Sequence, residues 1–176
     1  MSYYVFDAYG TLFNVHSAVS RYAAQVGPNA ARVSDVWRTK QLEYTWTRSC
    51  MKTYLDFWQL TEHALDFALE YVPNSNAAMK QNLLDAYKTL NSYEEVVPVL
   101  SALKQSGAKT AILSNGSPDM LASAVEHAKL NDLLDDVFSV DKIATYKTTP
   151  KAYEMVVEKW DINPHRIIFQ SSNRWD

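Results

Sequence analysis

From Val96 to its end the chain alternates between helix-like and strand-like runs, and this alternation restricts the fold more than any other feature. Val96, Val99, Leu100 and Leu103 recur at i, i+3, i+4 and i+7, and Gly107 stands where such a helix would end. "KTAIL" (109–113) follows as a strand. Ser117 as cap, Pro118 in the first turn and Asp119 toward the positive helix end open the next helix. "DVFSV" (136–140) reads as a strand, Thr149-Pro150 begins a helix reaching about Trp160, and "RIIFQ" (166–170) reads as another strand. Strand–helix–strand units in succession make a parallel sheet.

One further strand stands apart from these. "YYVF" (3–6) is short, aromatic and β-branched, bounded by Asp7 and Gly10. Between about 15 and 90 no comparable strand follows, only helical patterns. "VSDVWRTKQLEYTWTRSC" is one. In "TYLDFWQLTEHALDFALEYV" Phe57, Leu60, Ala64, Leu65, Ala68, Leu69 and Val72 keep helical spacing until Pro73-Asn74, and "NAAMKQNLLDAYKTL" forms another. The expected fold is α/β: a doubly wound, Rossmann-like parallel-sheet core of residues 1–14 and 92–176, with an all-helical cap of residues 15–91 inserted after the first strand. A length of 176 residues suits that plan.

Composition narrows the partners. A formal charge of −3 gives no reason to expect nucleic acid or an anionic membrane surface, and no apolar run approaches the roughly 20 residues of a membrane span. The single Cys50 cannot form an internal disulfide, and "MSYYVFDA" shows no signal-peptide pattern, so the expected location is the cytoplasm.

Open parallel sheets bind ligands beyond the carboxyl ends of their strands. Asp7, Tyr9 and Thr11 follow the first strand. Ser114, Asn115 and Ser117 follow 109–113; Ser171, Ser172, Asn173 and Asp176 follow 166–170; and the loop after 136–140 carries Lys147. An acid, hydroxyls, amides and a lysine therefore converge on one rim. Several of these have plainer readings: Ser117 suits a helix cap, Arg38 could pair with Asp35, and Leu42, Phe57 and Trp58 suit a core. His16, His63, His127 and His165 show no metal-ligand spacing and read as structural.

The stretches "FDAYGTL", "WRTKQLEYTW", "YLDFW…TEHAL", "ILSNGSPDML", "YKTTPKAYE" and "SSNRWD" occur in the order found in the haloacid dehalogenase superfamily, and the chain closely resembles its L-2-haloacid dehalogenases. The resemblance implies a cofactor-free, metal-free hydrolase that converts short L-2-haloalkanoic acids and water into D-2-hydroxy acids. Asp7 would attack the halogen-bearing carbon, and water would then cleave the resulting aspartyl ester. Lys147, Ser171, Asn173 and Asp176 match groups that orient Asp7 and activate water, and Tyr153 matches another active-site position. Thr11 and Ser114 match groups holding the nucleophile and the substrate carboxylate. Arg38, Asn115 and Trp175 match the halide cradle, while Tyr9, Leu42 and Phe57 match the substrate wall. Phosphate-cleaving members carry a second Asp two residues after the nucleophile; Tyr9 stands there instead, which counts against the alternative of a magnesium-dependent phosphatase. A homodimer is compatible with the resemblance.

Two departures are visible. Thr148 replaces a proline of the family and is expected to loosen the backbone that holds Lys147. Family members also continue past the position of Asp176 through a helix and at least one strand. The expectation is a fragment or shortened form, poorly soluble or inactive alone, or else a non-catalytic remnant.

Overall fold

A computed structural model of the chain describes residues 2–176. They divide into two compact units, Met1–Asn14 with Asn91–Asp176 and Val15–Leu90.

The first unit is α/β. Its strands are β1 (Tyr3–Phe6), β2 (Lys109–Ser114), β3 (Asp136–Ser139) and β4 (Ile167–Gln170). Among the described residues they form one parallel sheet in the order β3-β2-β1-β4, with Val5 in register with Ala111 on one side and Phe169 on the other. Central strands of a parallel sheet are covered on both faces. Accordingly Thr110 to Ser114 of β2 are all buried, as are Val5 and Phe6 of β1, whereas the outer strands expose Val137 and Ile168. The chain winds outward from β1 through β2 to β3 and returns to β4 on the opposite side. The direction of winding therefore changes between β1 and β4, where an open α/β sheet splays and binds ligands.

In the same unit, helices at Val96–Gln105, Pro118–His127 and Pro150–Trp160 join the strands. The first of these corrects the expected core stripe. Val96 and Leu100 are buried but Val99 is 46% exposed, because it lies about 60° round the helix from Val96, on the side away from Leu100. Ser117 also departs from expectation: it occupies the cap position with extended backbone, yet its hydroxyl makes no capping bond. The helix start rests on Pro118 at the first turn and Asp119.

The second unit is helical. In chain order its helices are α1 (Ser17–Arg21), α2 (Ala23–Val26), α3 (Ala30–Met51), α4 (Phe57–Tyr71) and α5 (Lys80–Lys88); those of the first unit are then α6 to α8. Helix α4 begins at Phe57, where its apolar pattern begins, because Asp56 caps it, accepting from the Gln59 N–H. Phe57, Leu60, Thr61, Ala64, Leu65, Ala68 and Leu69 form its buried face. Before α5, Ala77–Met79 form a 3-10 turn opened by the Asn76 side chain. Among the described residues no helix is long and apolar enough to cross a membrane.

Candidate functional site at the strand ends

Asp7 extends β1 by one residue, its N–H donating to Gln170 O at 2.9 Å, so its carboxylate stands at the β1–β4 switch point. Beyond it the chain turns sharply. Gly10 adopts φ +95°, a conformation side chains resist, and the N–H groups of Thr11, Leu12 and Phe13 all reach Ala8 O. This turn brings the Thr11 hydroxyl back over Asp7, to whose Oδ2 it donates at 3.0 Å.

The loop after β4 closes the other side. Asn173 Nδ2 donates to Asp7 Oδ2 at 3.3 Å, and the Ser172 N–H donates to Thr11 Oγ1 at 3.0 Å. With one acceptor position of Thr11 so occupied and a carboxylate beside it, the Thr11 proton is directed to Asp7.

Lys147 approaches from before α8. Its Nζ donates to Asp7 Oδ1 at 2.8 Å and to Asp176 Oδ2 at 2.7 Å, and all three side chains are almost wholly buried. Asp176 Oδ2 also accepts from Ser171 Oγ at 2.8 Å, and Tyr153 OH lies 3.4 Å from Asp176 Oδ1. Burial raises the Tyr153 phenol above its usual range, and the negative charge and hydrogen bond of Asp176 add to the shift. It therefore remains a hydrogen-bond donor at neutral pH.

Asn115 was expected to contact halide. Its Oδ1 accepts the Lys147 N–H at 2.9 Å, which ties the lysine backbone to the turn after β2. One residue past the exposed Thr148, the Thr149 N–H and hydroxyl both donate to Tyr146 O. Ser114, buried at the end of β2, accepts the Gly116 N–H. The Tyr9 ring is buried beside Phe13, with ring centres 6.0 Å apart. Trp175 is about half exposed on the terminal loop.

The structure thus brings together Asp7, Thr11, Lys147, Tyr153, Ser171, Asn173 and Asp176 directly, and Asn115 through the Lys147 backbone. Arg38, Leu42 and Phe57 belong to the helical unit. Arg38 and Leu42 are half-buried one turn apart on α3, and Phe57 is buried at the start of α4. Asp35, the suggested partner of Arg38, lies 4.0 Å from His16 Nδ1. Trp58 has Lys88 Nζ 4.9 Å above its ring.

Three residues escaped the sequence reading. Ser172 was noticed among the strand-end polar groups but given no role. Phe169 reads as one apolar residue of a strand, yet Lys147 Nζ lies 5.4 Å from its ring centre and Tyr153 packs edge-on against it at 5.6 Å. Ser139 lies inside its strand, as expected, yet its hydroxyl donates to Gly116 O at 2.6 Å in the turn after β2, a contact that no strand pattern signals.

A carboxylate held by donors on both oxygens, beside a second carboxylate bonded to a hydroxyl, suits a nucleophile paired with a group that handles protons. Known proteins similar to the chain agree with that chemistry. The family model for haloacid dehalogenase-like hydrolases matches residues 1–176. The chain is 47% identical over 173 residues to (S)-2-haloacid dehalogenase 1 of Pseudomonas sp. (strain CBS-3), covering 98% of this chain and 76% of that protein. Among solved structures, a dehalogenase with intermediate complex is similar at a TM-score of 0.95 and 45% identity, covering 100% of this chain and 78% of the other. The L-2-haloacid dehalogenase from Xanthobacter autotrophicus with chloropropionic acid covalently bound is similar at 0.90 and 37% identity, covering 100% and 71%. The chain belongs to the haloacid dehalogenase-like hydrolases.

Proposed function

We propose that the chain is a hydrolase that removes halide from short L-2-haloalkanoic acids through an aspartyl ester, releasing D-2-hydroxy acids. The observation that carries this is the Asp7 carboxylate, 5% exposed and bonded to Lys147, Thr11 and Asn173, with Tyr9 two residues on. Held in this way, one carboxylate oxygen can attack C2 in line while the carbon–halogen bond breaks toward the opposite face, which inverts the centre. The halide leaves with the bonding electrons and needs no proton, so Tyr9 can stand where an ester-cleaving enzyme would need an acid. Water then adds to the Asp7 carboxyl carbon, and Asp176, held by Lys147, Ser171 and Tyr153, is placed to take its proton.

The remaining assignments belong to the same reading. Ser114 and Thr11 serve the substrate carboxylate and the nucleophile. Arg38, Asn115 and Trp175 serve the departing halide, for which a planar, weakly hydrated guanidinium is well suited. Tyr9, Leu42 and Phe57 form the apolar wall. Cys50 is an exposed free thiol, which favours the reducing cytoplasm. The charge of −3 does not favour nucleic acid as a partner, and the exposed Trp46, Met51 and Tyr71 make a homodimer the assembly to test by light scattering.

Single turnover of L-2-chloropropionate in oxygen-18 water tests the reading. Halide should be released and the label should enter Asp7 before it reaches product in later turnovers. Release should survive EDTA, because the Lys147 ammonium already occupies the position between the two carboxylates. Label appearing in the first product with Asp7 unlabelled would exclude the ester. Magnesium-dependent cleavage of p-nitrophenyl phosphate without halide release would replace the reading with a phosphatase.

A further inference from the structure

We infer that Gly116, clamped by Ser114 and Ser139, is the backstop that positions the Tyr9 ring and thereby limits the 2-substituent the site accepts. The limit on substrate rests on the dehalogenase reading; the placement of the ring does not. A Cβ at residue 116 would lie 2.7 Å from Tyr9 Cε2 and 3.4 Å from the Leu121 side chain. Carbon atoms in contact prefer about 3.5–4.0 Å, so the ring and any side chain at 116 cannot both keep their places.

The backbone at 116 is poorly able to yield. Its N–H is bonded to Ser114 Oγ at 3.0 Å, and its carbonyl accepts from Ser139 Oγ at 2.6 Å. Ser139 is anchored in turn by accepting the Asp141 N–H, and both serines are buried. The ring is therefore what must move, away from the turn after β2. Tyr9 sits two residues past Asp7 on the tight Gly10 turn, so displacing the ring shifts the apolar wall beside the nucleophile. Gly116 and Ser139 are positioning residues acting through Tyr9. The space left by the missing Cβ is what lets an aromatic ring stand at position 9.

The test compares Gly116→Ala, Tyr9→Leu and the double variant, read by kcat/KM for chloroacetate and L-2-chlorobutanoate and by the unfolding midpoint. Gly116→Ala should lower kcat/KM for the larger substrate about tenfold more than for chloroacetate, and should lower the midpoint by roughly 3 °C. With leucine at position 9 both effects should nearly vanish, because the flexible side chain gives way. Ser139→Ala should shift the same substrate ratio by about threefold, and Ser139→Thr, which keeps the hydroxyl, should restore it. Equal loss on both substrates, or an undiminished midpoint drop in the Tyr9→Leu background, would overturn the inference. If the wild-type chain released no halide at all, the functional reading would fail, while the midpoint coupling would still decide whether Gly116 sets the ring.

Discussion

In the helical unit the buried polar side chains tied into a network are neutral. Trp37 Nε1 donates to Thr61 O at 2.8 Å, Gln41 Nε2 donates to Thr61 Oγ1 at 2.9 Å, and Tyr87 OH lies 3.4 Å from Gln41 Oε1. At the strand ends of the α/β unit the buried groups are charged: one ammonium between two carboxylates. Neutral buried bonds each contribute about 1 kcal/mol net and fix which faces of α3, α4 and α5 meet. A buried ion pair is a poor source of stability, since desolvation offsets much of the attraction. Buried charge is concentrated where a reaction requires it, while the ion pair between α4 and α5, Lys80 with Asp66, lies at the surface of the helical unit.

Removing the cation should break this contrast most severely. Lys147→Met leaves Asp7 and Asp176 buried together, and we expect a loss of about 3–5 kcal/mol in urea unfolding. Halide release should fall by at least about a thousandfold. Adding Asp7→Asn and Asp176→Asn should recover much of the stability without any activity. A Lys147→Met protein as stable as wild type would show that the trio is no more demanding than the neutral network.

Arg38→Lys asks whether the helical unit also supplies chemistry. Lysine keeps the charge but loses the planar donor fork, and halide release should fall by about tenfold, equivalent to roughly 1.4 kcal/mol. Wild-type kinetics would return Arg38 to an ordinary helix face.

The two units differ in how legible they were. Strand–helix alternation identified β2, β3 and β4, and β1 stood out as an aromatic, β-branched run bounded by Asp7 and Gly10. The strand-end rule also found the charged trio, since an acid or lysine following an apolar strand is conspicuous. What escaped depended on distance in space. Val99 fits the apolar period but lies at the flank of its helix, and Phe169 is an ordinary strand residue until Lys147 and Tyr153 are placed against it. "WRTKQLEYTW" matched a family stretch without indicating why. Trp37, Gln41 and Thr45 are one turn apart on a buried face of α3, while Arg38 and Leu42 are half-buried on the adjoining one. A single motif therefore carries packing residues and proposed site residues side by side.

Gln41→Leu sharpens that division. It removes the donor to Thr61 Oγ1, whose own proton goes to Phe57 O, and the partner of Tyr87, so unfolding free energy should fall by about 1–2 kcal/mol. Gln41 belongs to the network alone, and kcat per folded molecule should be unchanged. A loss of kcat at full stability would mean that the neutral network also tunes the chemistry.

The smallest effect isolates one hydroxyl where charged and neutral groups meet. In the unfolded chain the Tyr153 phenol ionises near its ordinary value of 10.0; in the folded chain burial first, then Asp176, holds the proton on. Below pH 10 both states are protonated, so this group gives stability no pH dependence there. Above pH 10 the unfolded chain releases a proton that the folded chain keeps, so stability declines as pH rises. Tyr153→Phe cannot titrate and should lack this component. The difference in unfolding free energy between wild type and variant should be flat up to about pH 10. Above that it should fall, by no more than about 1.4 kcal/mol per pH unit. A difference that stayed flat well above pH 10 would mean that the folded phenol ionises as readily as a free one, and Asp176 would then lose Tyr153 as a steady donor.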